Sequence, residues 1–368
     1  MQSIAVASIP VERLEISAYR IPTDFSESDG TFEWIGTNVV VVEVFGGGLR
    51  GTGYSYTDAA AATFINSFLR PFIEGQDAMR VTAIWNQMVA SVRNLGQTGL
   101  TSMAISAVDS ALWDLKARSL GIPLVILLGQ LRDSVPVYGS GGFTSYSISQ
   151  TQQQFEAWAN LGIRLFKMKV GRSPQEDIDR VRAARQAIGP DAELFVDANG
   201  AYTRKQALYF AEKFAESKVT WFEEPVVSDD LEGLRLLRNR APGGMNIAAG
   251  EYGFNLSYFE HMLAAEAVDV LQADATRCQG ITGFLQVGPL CSARNLPLSA
   301  HTAPSLHSHP CCALPQVCHV EYFHDHARIE QMLFDGLPSL VNGHLFPDLS
   351  RLGNGLELKK KDASRFAV

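Results

Sequence analysis

Eight short apolar runs, each of strand length, recur between residues 135 and 321 and constrain the fold of this 368-residue chain more than any other feature. They occupy residues 135–138, 165–170, 194–197, 219–223, 247–251, 268–274, 296–301 and 317–321, and amphipathic helical stretches separate them. Seven runs end on an ionisable residue: Lys169, Asp197, Glu223, Glu251, Asp274, His301 and Glu321. The steps between those residues are 28, 26, 28, 23, 27 and 20, which is what a strand, a helix and two loops consume. Helix-start signals fall in the gaps, with Ser173-Pro174 ahead of 175–188 and Thr203 ahead of 204–216. Serial strand–helix units in this number predict an α/β fold closed into a barrel rather than an open sheet.

The first 130 residues keep a different rhythm and predict a separate α+β domain. Strands are expected over 11–21, 38–45 and 51–56, and helices over 59–69, 81–92 and 101–120. In the last helix Ile105, Val108, Leu112 and Leu115 recur at three- and four-residue steps and give one apolar face. Gly46-Gly47-Gly48-Leu49-Arg50-Gly51 matches a dinucleotide-binding glycine pattern, but a strand-like run follows it instead of a helix, so it reads as a hairpin turn. The barrel is expected over 131–335. The Gly- and Pro-punctuated tail, 336–368, is expected to pack back on the first domain or the barrel.

Charge narrows the function. The chain has 31 basic and 39 acidic residues, a net charge of −8, and no basic stripe to neutralise phosphates, which argues against a nucleic-acid partner and leaves room for a divalent cation. The longest apolar run, 39–45, is broken by Glu43 and falls short of the roughly 18 residues that a membrane helix needs. The N-terminus has no basic segment followed by an apolar one, so no signal peptide is expected. Cys278, Cys291, Cys311, Cys312 and Cys318 form no CxxC pair and read as unpaired thiols of a cytoplasmic protein.

In barrel enzymes the C-terminal strand ends share one rim, so the seven ionisable residues are expected at one mouth. Such crowding is unfavourable unless a cation or substrate compensates it. Asp197, Glu223 and Glu251, on consecutive strands, offer the hard oxygen ligands of Mg²⁺, and the lack of Cys or His among them disfavours zinc. Lys167-Met168-Lys169 places two lysines on one strand face, where each is expected to depress the other's pKa and so make a general base. Asp274 and His301 end consecutive runs and form a second acid–base candidate, the carboxylate fixing the imidazole tautomer. The tract His307-Ser308-His309 with Cys311 and Cys312 imitates a soft-metal site but lacks a second ligand pair.

The stretches Lys167-Met168-Lys169, Val196-Asp197-Ala198-Asn199, Trp221-Phe222-Glu223-Glu224-Pro225, Gly250-Glu251, Gln272-Ala273-Asp274, Ser299-Ala300-His301 and His319-Val320-Glu321 together resemble the mandelate racemase branch of the enolase superfamily. The resemblance extends to 104–130, similar to a capping-domain helix of that family. It implies a modified (β/α)7β barrel of the TIM type with an N-terminal α+β capping domain, one Mg²⁺ per subunit on Asp197, Glu223 and Glu251, and no ligand role for Glu224. It also implies abstraction of the proton α to a carboxylate through an enediolate. Lys169 and the His301–Asp274 dyad then flank the substrate on opposite faces, Lys167 helps to hold the dianion, and Glu321, protonated, donates a hydrogen bond. A small hydroxy-carboxylate is the implied partner, and a homo-oligomer, dimer to octamer, the implied assembly.

Opposed acid–base groups allow dehydration or racemisation. Dehydration of an acid sugar, aldonate or aldarate, to a 2-keto-3-deoxy acid is the expectation. Racemisation or epimerisation of a 2-hydroxy acid is the alternative, and a non-catalytic binding protein on the same fold is the rival. Specificity is expected from a loop running from Tyr19 to Trp34 and from Asn199, Tyr252 and Thr302. Arg20 is read as a surface residue with a lesser claim on a distal carboxylate.

Overall fold

A computed structural model describes residues 8–368; the signal-peptide reading concerns residues that lie largely outside that range. The chain opens with an antiparallel sheet of three strands, β1 (Arg13–Ser28), β2 (Glu33–Gly46) and β3 (Leu49–Ser55). Gly47 and Gly48, both at positive φ, make the tight turn between β2 and β3, so the glycine cluster is a hairpin. Helices α1 (Ala60–Phe64), α2 (Val81–Ser91) and α3 (Leu100–Ser119) cover one face of the sheet.

The valine run of β2 explains how this domain attaches. Val40, Val42 and Val44 face the helices, packing with Ile84, Met88, Ile105, Val108 and Leu112. Val39 and Val41 point the other way and join the barrel's core. With both faces covered, the strand reads as a continuous apolar run instead of an alternating one. Helix α3 is buried around its circumference, not on a single face. Its second face carries Asp109, which accepts from Thr282 N and Oγ1, and Asp114, which accepts from Thr52 N and Asn354 N. Gly51 and Gly53 let β3 approach that helix, since a Cβ at Gly51 would stand 2.2 Å from Ala111 O.

A short helix, α4 (Leu124–Leu127), leads into the barrel. Its strands are β4 (Val135–Gly141), β5 (Leu165–Lys169), β6 (Glu193–Asp197), β7 (Val219–Glu223), β8 (Asn246–Ala249), β9 (Val270–Ala273), β10 (Leu298–Ala300) and β11 (Val317–Phe323). They pair in parallel in sequence order, and β11 closes on β4. Helices α5 (Ile148–Asn160), α6 (Pro174–Ile188), α7 (Arg204–Ala215), α8 (Leu231–Arg240), α9 (Leu256–Ala264), α10 (Gly280–Ala293) and α11 (Pro304–Ala313) follow the first seven strands, so the barrel is (β/α)7β. Ser147 and Thr203 open α5 and α7 with capping boxes. A last helix, α12 (His324–Leu333), follows the closing strand.

The tail returns to both bodies. Strand β12 (Phe334–Asp335) precedes the hairpin β13 (Ser339–Val341) and β14 (His344–Phe346), and β14 pairs with β4. Glu357 accepts from Arg118 on α3 at 2.6 Å, and Val368 N donates to Ala18 O on β1. All five cysteines are unpaired. No described helix is long and apolar enough to cross a membrane.

Candidate active site

Inside the barrel an apolar plug of Tyr138, Phe195, Trp221, Ala248 and Val270 fills the lower half. Above it the strands end in charge. One carboxylate oxygen each from Asp197, Glu223 and Glu251 lies within 4.8 Å of the others, and none of the three residues is more than 4% exposed. They stand at the ends of β6, β7 and β8 and form an arc.

The arc has an acid–base group at each end. At the β5 end Lys169 Nζ lies 2.5 Å from Asp197 Oδ2. At the β8 end His301 Nε2 lies 3.3 Å from Glu251 Oε2, while its Nδ1 donates to Asp274 Oδ2 at 2.9 Å. Glu321, from β11, closes the ring opposite the arc, 2.7 Å from Lys167 Nζ and 3.7 Å from His301 Nε2. The carboxylates are held from behind. Trp221 Nε1 donates to Glu223 Oε2, Asn199 N to Asp197 Oδ1 and Thr276 N to Asp274 Oδ1.

Backbone strain marks the same rim. Asn199, Glu224, Thr302 and Ala303, in the loops leaving β6, β7 and β10, all have positive φ, a conformation that side chains other than glycine resist.

The electrostatics correct two expectations. Burial is the largest influence on Lys169 and opposes its charge, as does Lys167, but Asp197, Glu251 and Glu223 together outweigh them and hold the ammonium above its ordinary range. The lysines therefore do not depress each other below normal; the carboxylates dominate because they are closer and more numerous. Burial likewise opposes charge on Glu321, yet Lys167 and His301 hold it at about 2, so it stands as an ionised acceptor and not as the protonated donor that the resemblance implied. Burial disfavours charge on His301 too, and Glu251, Glu321 and Asp274 together lift it to about 9.

A cavity of about 400 Å³ opens above this ring and under the capping domain. Lys169, Glu251, Asp274, His301 and Glu321 line it, as do Asn199, Tyr252, Thr302 and Trp34. Lys167 does not. It is fully buried beneath the floor, its Nζ bonded to Glu223 and Glu321, because it sits two residues deeper on β5 than Lys169. Tyr19 is a core residue of β1, bridged to Ala367, and takes no part in the cavity wall. The segment 19–34 is no loop: it is a β1–β2 hairpin with a register shift between Pro22 and Glu27. Arg20 is exposed on that hairpin, outside the cavity.

The His/Cys tract is structural. His307 Nε2 accepts from Ala275 N and its Nδ1 donates to Thr302 O, tying together the loops that carry Asp274 and His301. His309 donates to Asn354 O.

Spacing alone missed Arg277. Its Nη1 lies 3.3 Å from Glu251 Oε1, its Nε 3.7 Å from Asp274 Oδ2, and its guanidinium stacks on Tyr252. A basic residue three positions after a rim acid was the available signal. Nor did spacing reveal the hairpin tip. Thr144 N donates to Ser28 O, Thr144 Oγ1 to Asp29 O and Ser145 Oγ to Ser26 O, which fixes the tip on the barrel rim.

The donor set fits a hard divalent cation. Asn199 Oδ1, Glu224 Oε1 and Glu251 Oε2, in the loops after β6, β7 and β8, are buried oxygens with no hydrogen-bond donor aligned on them. Three carboxylates converge among them without a sulfur or imidazole ligand, a preference shared by Mg²⁺ and similar ions.

Comparison with known proteins agrees with this geometry. Residues 30–129 match the model of the mandelate racemase/muconate lactonizing enzyme N-terminal domain, and residues 150–363 that of the enolase C-terminal domain-like family. The chain is 33% identical over 372 residues to a 3,6-anhydro-alpha-L-galactonate cycloisomerase of Streptomyces coelicolor, covering 97% of this chain and 99% of the relative. A mandelate racemase/muconate lactonizing enzyme-like protein from Rubrobacter xylanophilus superposes with a TM-score of 0.95 at 54% identity, covering 98% of this chain and 100% of the other. An L-talarate/galactarate dehydratase from Salmonella typhimurium, liganded with Mg and L-lyxarohydroxamate, superposes with a TM-score of 0.90 at 28% identity, covering 100% of this chain and 95% of the other.

Proposed function

The chain belongs to the mandelate racemase/muconate lactonizing enzyme family of the enolase superfamily, and from that premise we propose that it takes the proton α to the carboxylate of an acid sugar and expels the β-hydroxyl, releasing a 2-keto-3-deoxy acid. It is a magnesium-dependent lyase or isomerase, with Mg²⁺ as cofactor on Asp197, Glu223 and Glu251. The observation that carries the proposal is the arc of three carboxylates with Lys169 at one end and the His301–Asp274 dyad at the other.

An α-proton next to a carboxylate is too weakly acidic for a lone base, because removal leaves a dianion. Mg²⁺ supplies Lewis-acid stabilisation of that charge and compensates the carboxylates that otherwise hold Lys169 and His301 protonated. The side chains divide the remaining work. Lys169 or His301 takes the C2 proton as the C–H bond breaks. The electron pair then moves to C2–C3 as the C3–O bond breaks, and His301 gives a proton to the departing hydroxyl, so that water leaves. The enol so formed tautomerises to the 2-keto acid. Asp274 holds Nδ1–H, which leaves Nε2 facing the cavity to transfer a proton. Lys167 acts from below the floor by fixing Glu223 and Glu321, a positioning role instead of direct contact. The hairpin tip, fixed on the rim by Thr144 and Ser145, forms one wall of the cavity.

The second reading is an isomerase. Two acid–base groups at opposite ends of one arc suit removal of a proton on one side and its return on the other. A non-catalytic binding role is disfavoured because the Lys169, Asp197, Glu223, Glu251, Asp274, His301 and Glu321 set is intact, with no neutral residue in the ligand trio. The test is incubation with Mg²⁺ in D₂O across an acid-sugar library, following C2–H by NMR and the 2-keto acid by its semicarbazone. Exchange with keto-acid release supports dehydration; exchange with a changed C2 configuration supports the isomerase; no exchange with any hydroxy acid overturns both.

A further inference from the structure

The cavity wall on the side of the capping domain presents no Lys or Arg side chain. It is built by the capping domain, with Asp29, Thr31, Trp34, Thr37, Asn38 and Tyr56 facing the space. Among the described residues only Lys169 and Arg277 bring a Lys or Arg side chain to the cavity, and both belong to the barrel rim. Each is already engaged, Lys169 by Asp197 and Arg277 by Glu251 and Asp274. Residues 1–7 contain no Lys or Arg. The basic residues beside the hairpin are outside the cavity and paired, Arg172 with Glu33, and Arg328 with Asp325 and Asp24. His326 lines the wall, but its Nδ1 accepts from Ala303 N, and burial, with His301 and Arg277 nearby, lowers its pKa well below the ordinary imidazole value.

The cap also adds a negative charge. Asp29 Oδ1 accepts from Thr31 N and Phe32 N, which holds a carboxylate at the hairpin tip. Around the mouth Asp29, Asp197, Glu223, Glu251, Asp274 and Glu321 stand against Lys167, Lys169 and Arg277. A divalent cation brings that balance from −3 to −1, so no positive charge is left over for a second carboxylate. A second carboxylate reaching the cap would meet hydroxyls, an amide, aromatic rings and Asp29, with no counter-charge.

Building on the α-proton reading above, we infer that the substrate is a monocarboxylic acid sugar, an aldonate with a neutral distal end, and not an aldarate. Thr31, Thr37 and Asn38 suit neutral hydroxyls, and the faces of Trp34 and Tyr56 suit the C–H faces of a sugar chain.

The test uses the intact enzyme with Mg²⁺ and pairs of acids that share configuration at C2 to C5 and differ only at the distal carbon, CH₂OH in one and carboxylate in the other. C2–H exchange in D₂O and 2-keto acid release are both read. The expected result is kcat/KM for the best aldonate at least ~30-fold above that of its aldarate partner. The distal monoamide of that aldarate, equal in size but neutral, should recover most of the loss. An aldarate processed as well as or better than its partner overturns this inference and leaves the α-proton chemistry standing. A monoamide as poor as the aldarate overturns the charge argument, since size would then decide. No exchange with any acid of either series overturns the underlying reaction and this inference with it.

Discussion

The barrel rim and the capping hairpin meet across one cavity and are built on opposite rules. On the rim, charged side chains are buried, nearly all touch another charge, and strained loops fix them from behind. On the hairpin the facing groups are mostly uncharged and aromatic, and the carboxylates present are either tied into a turn, as Asp29 is, or buried away from the space, as Glu27 is. Glu27 accepts from Trp34 Nε1 at 2.9 Å and so orients a ring that lines the cavity. The difference separates chemistry from selection: the rim decides what happens at C2, and the cap decides which molecule reaches it. Changes on the rim should therefore lower kcat, and changes on the cap should move KM.

The largest effect should come from Asp197→Asn. It removes one arm of the arc, and turnover should fall by at least ~10³-fold with Mg²⁺ affinity falling in parallel. Calorimetry showing unchanged metal affinity would break the rim's side of the contrast. Arg277→Met should cost ~10–100-fold in kcat, because it loosens Glu251 and Asp274 without removing either. Restored activity in Arg277→Lys would show that charge alone suffices there.

On the cap, Trp34→Ala should raise KM about tenfold while kcat changes less than ~3-fold. A collapse of kcat would mean that the hairpin shares in the chemistry. The smallest effect concerns stability. Burial and Asp325, with a lesser push from Asp24 and against the pull of Arg328, raise Glu27 from 4.5 to about 8. A carboxyl that gains protons on folding gives its full stabilisation below pH 4.5, loses it as pH rises to about 8, and changes nothing beyond. Glu27→Gln cannot ionise, so its Tm should gain on the native protein's by about 2 °C or more between pH 5 and 8. A constant gap would show that Glu27 does not titrate in that window.

The two regions also differ in how far the sequence disclosed them. The rim was legible because each barrel strand ends at the same face, so spacing alone placed Asp197, Glu223, Glu251, Asp274, His301 and Glu321 together. What spacing could not supply was depth and charge balance. Lys167 and Lys169 share a face, yet two residues along a strand put one under the floor and the other in the cavity. Their carboxylate neighbours, invisible until the barrel closed, reversed the expected pKa shift. The cap was read poorly because its contribution is a hairpin that crosses to another domain. Tyr19, expected to help set specificity, is instead a core residue of β1, which runs on through Pro22 to Ser28. Gly30 showed no local signal, though a Cβ there would stand 2.4 Å from Ala198 O on the rim. Arg277 escaped because it acts across a loop, not along a strand.

Position-specific exchange tests the central claim most directly. With Mg²⁺ in D₂O and one acid of defined C2 configuration that the native enzyme dehydrates, Lys169→Ala and His301→Asn are compared for C2–H exchange and for release of 2-keto acid. Groups at opposite ends of one arc predict that both variants lose keto-acid release by ~10²–10⁴-fold, while C2–H exchange persists in only the variant that keeps the group facing that proton. Equal exchange in both, or undiminished release in either, would contradict the account.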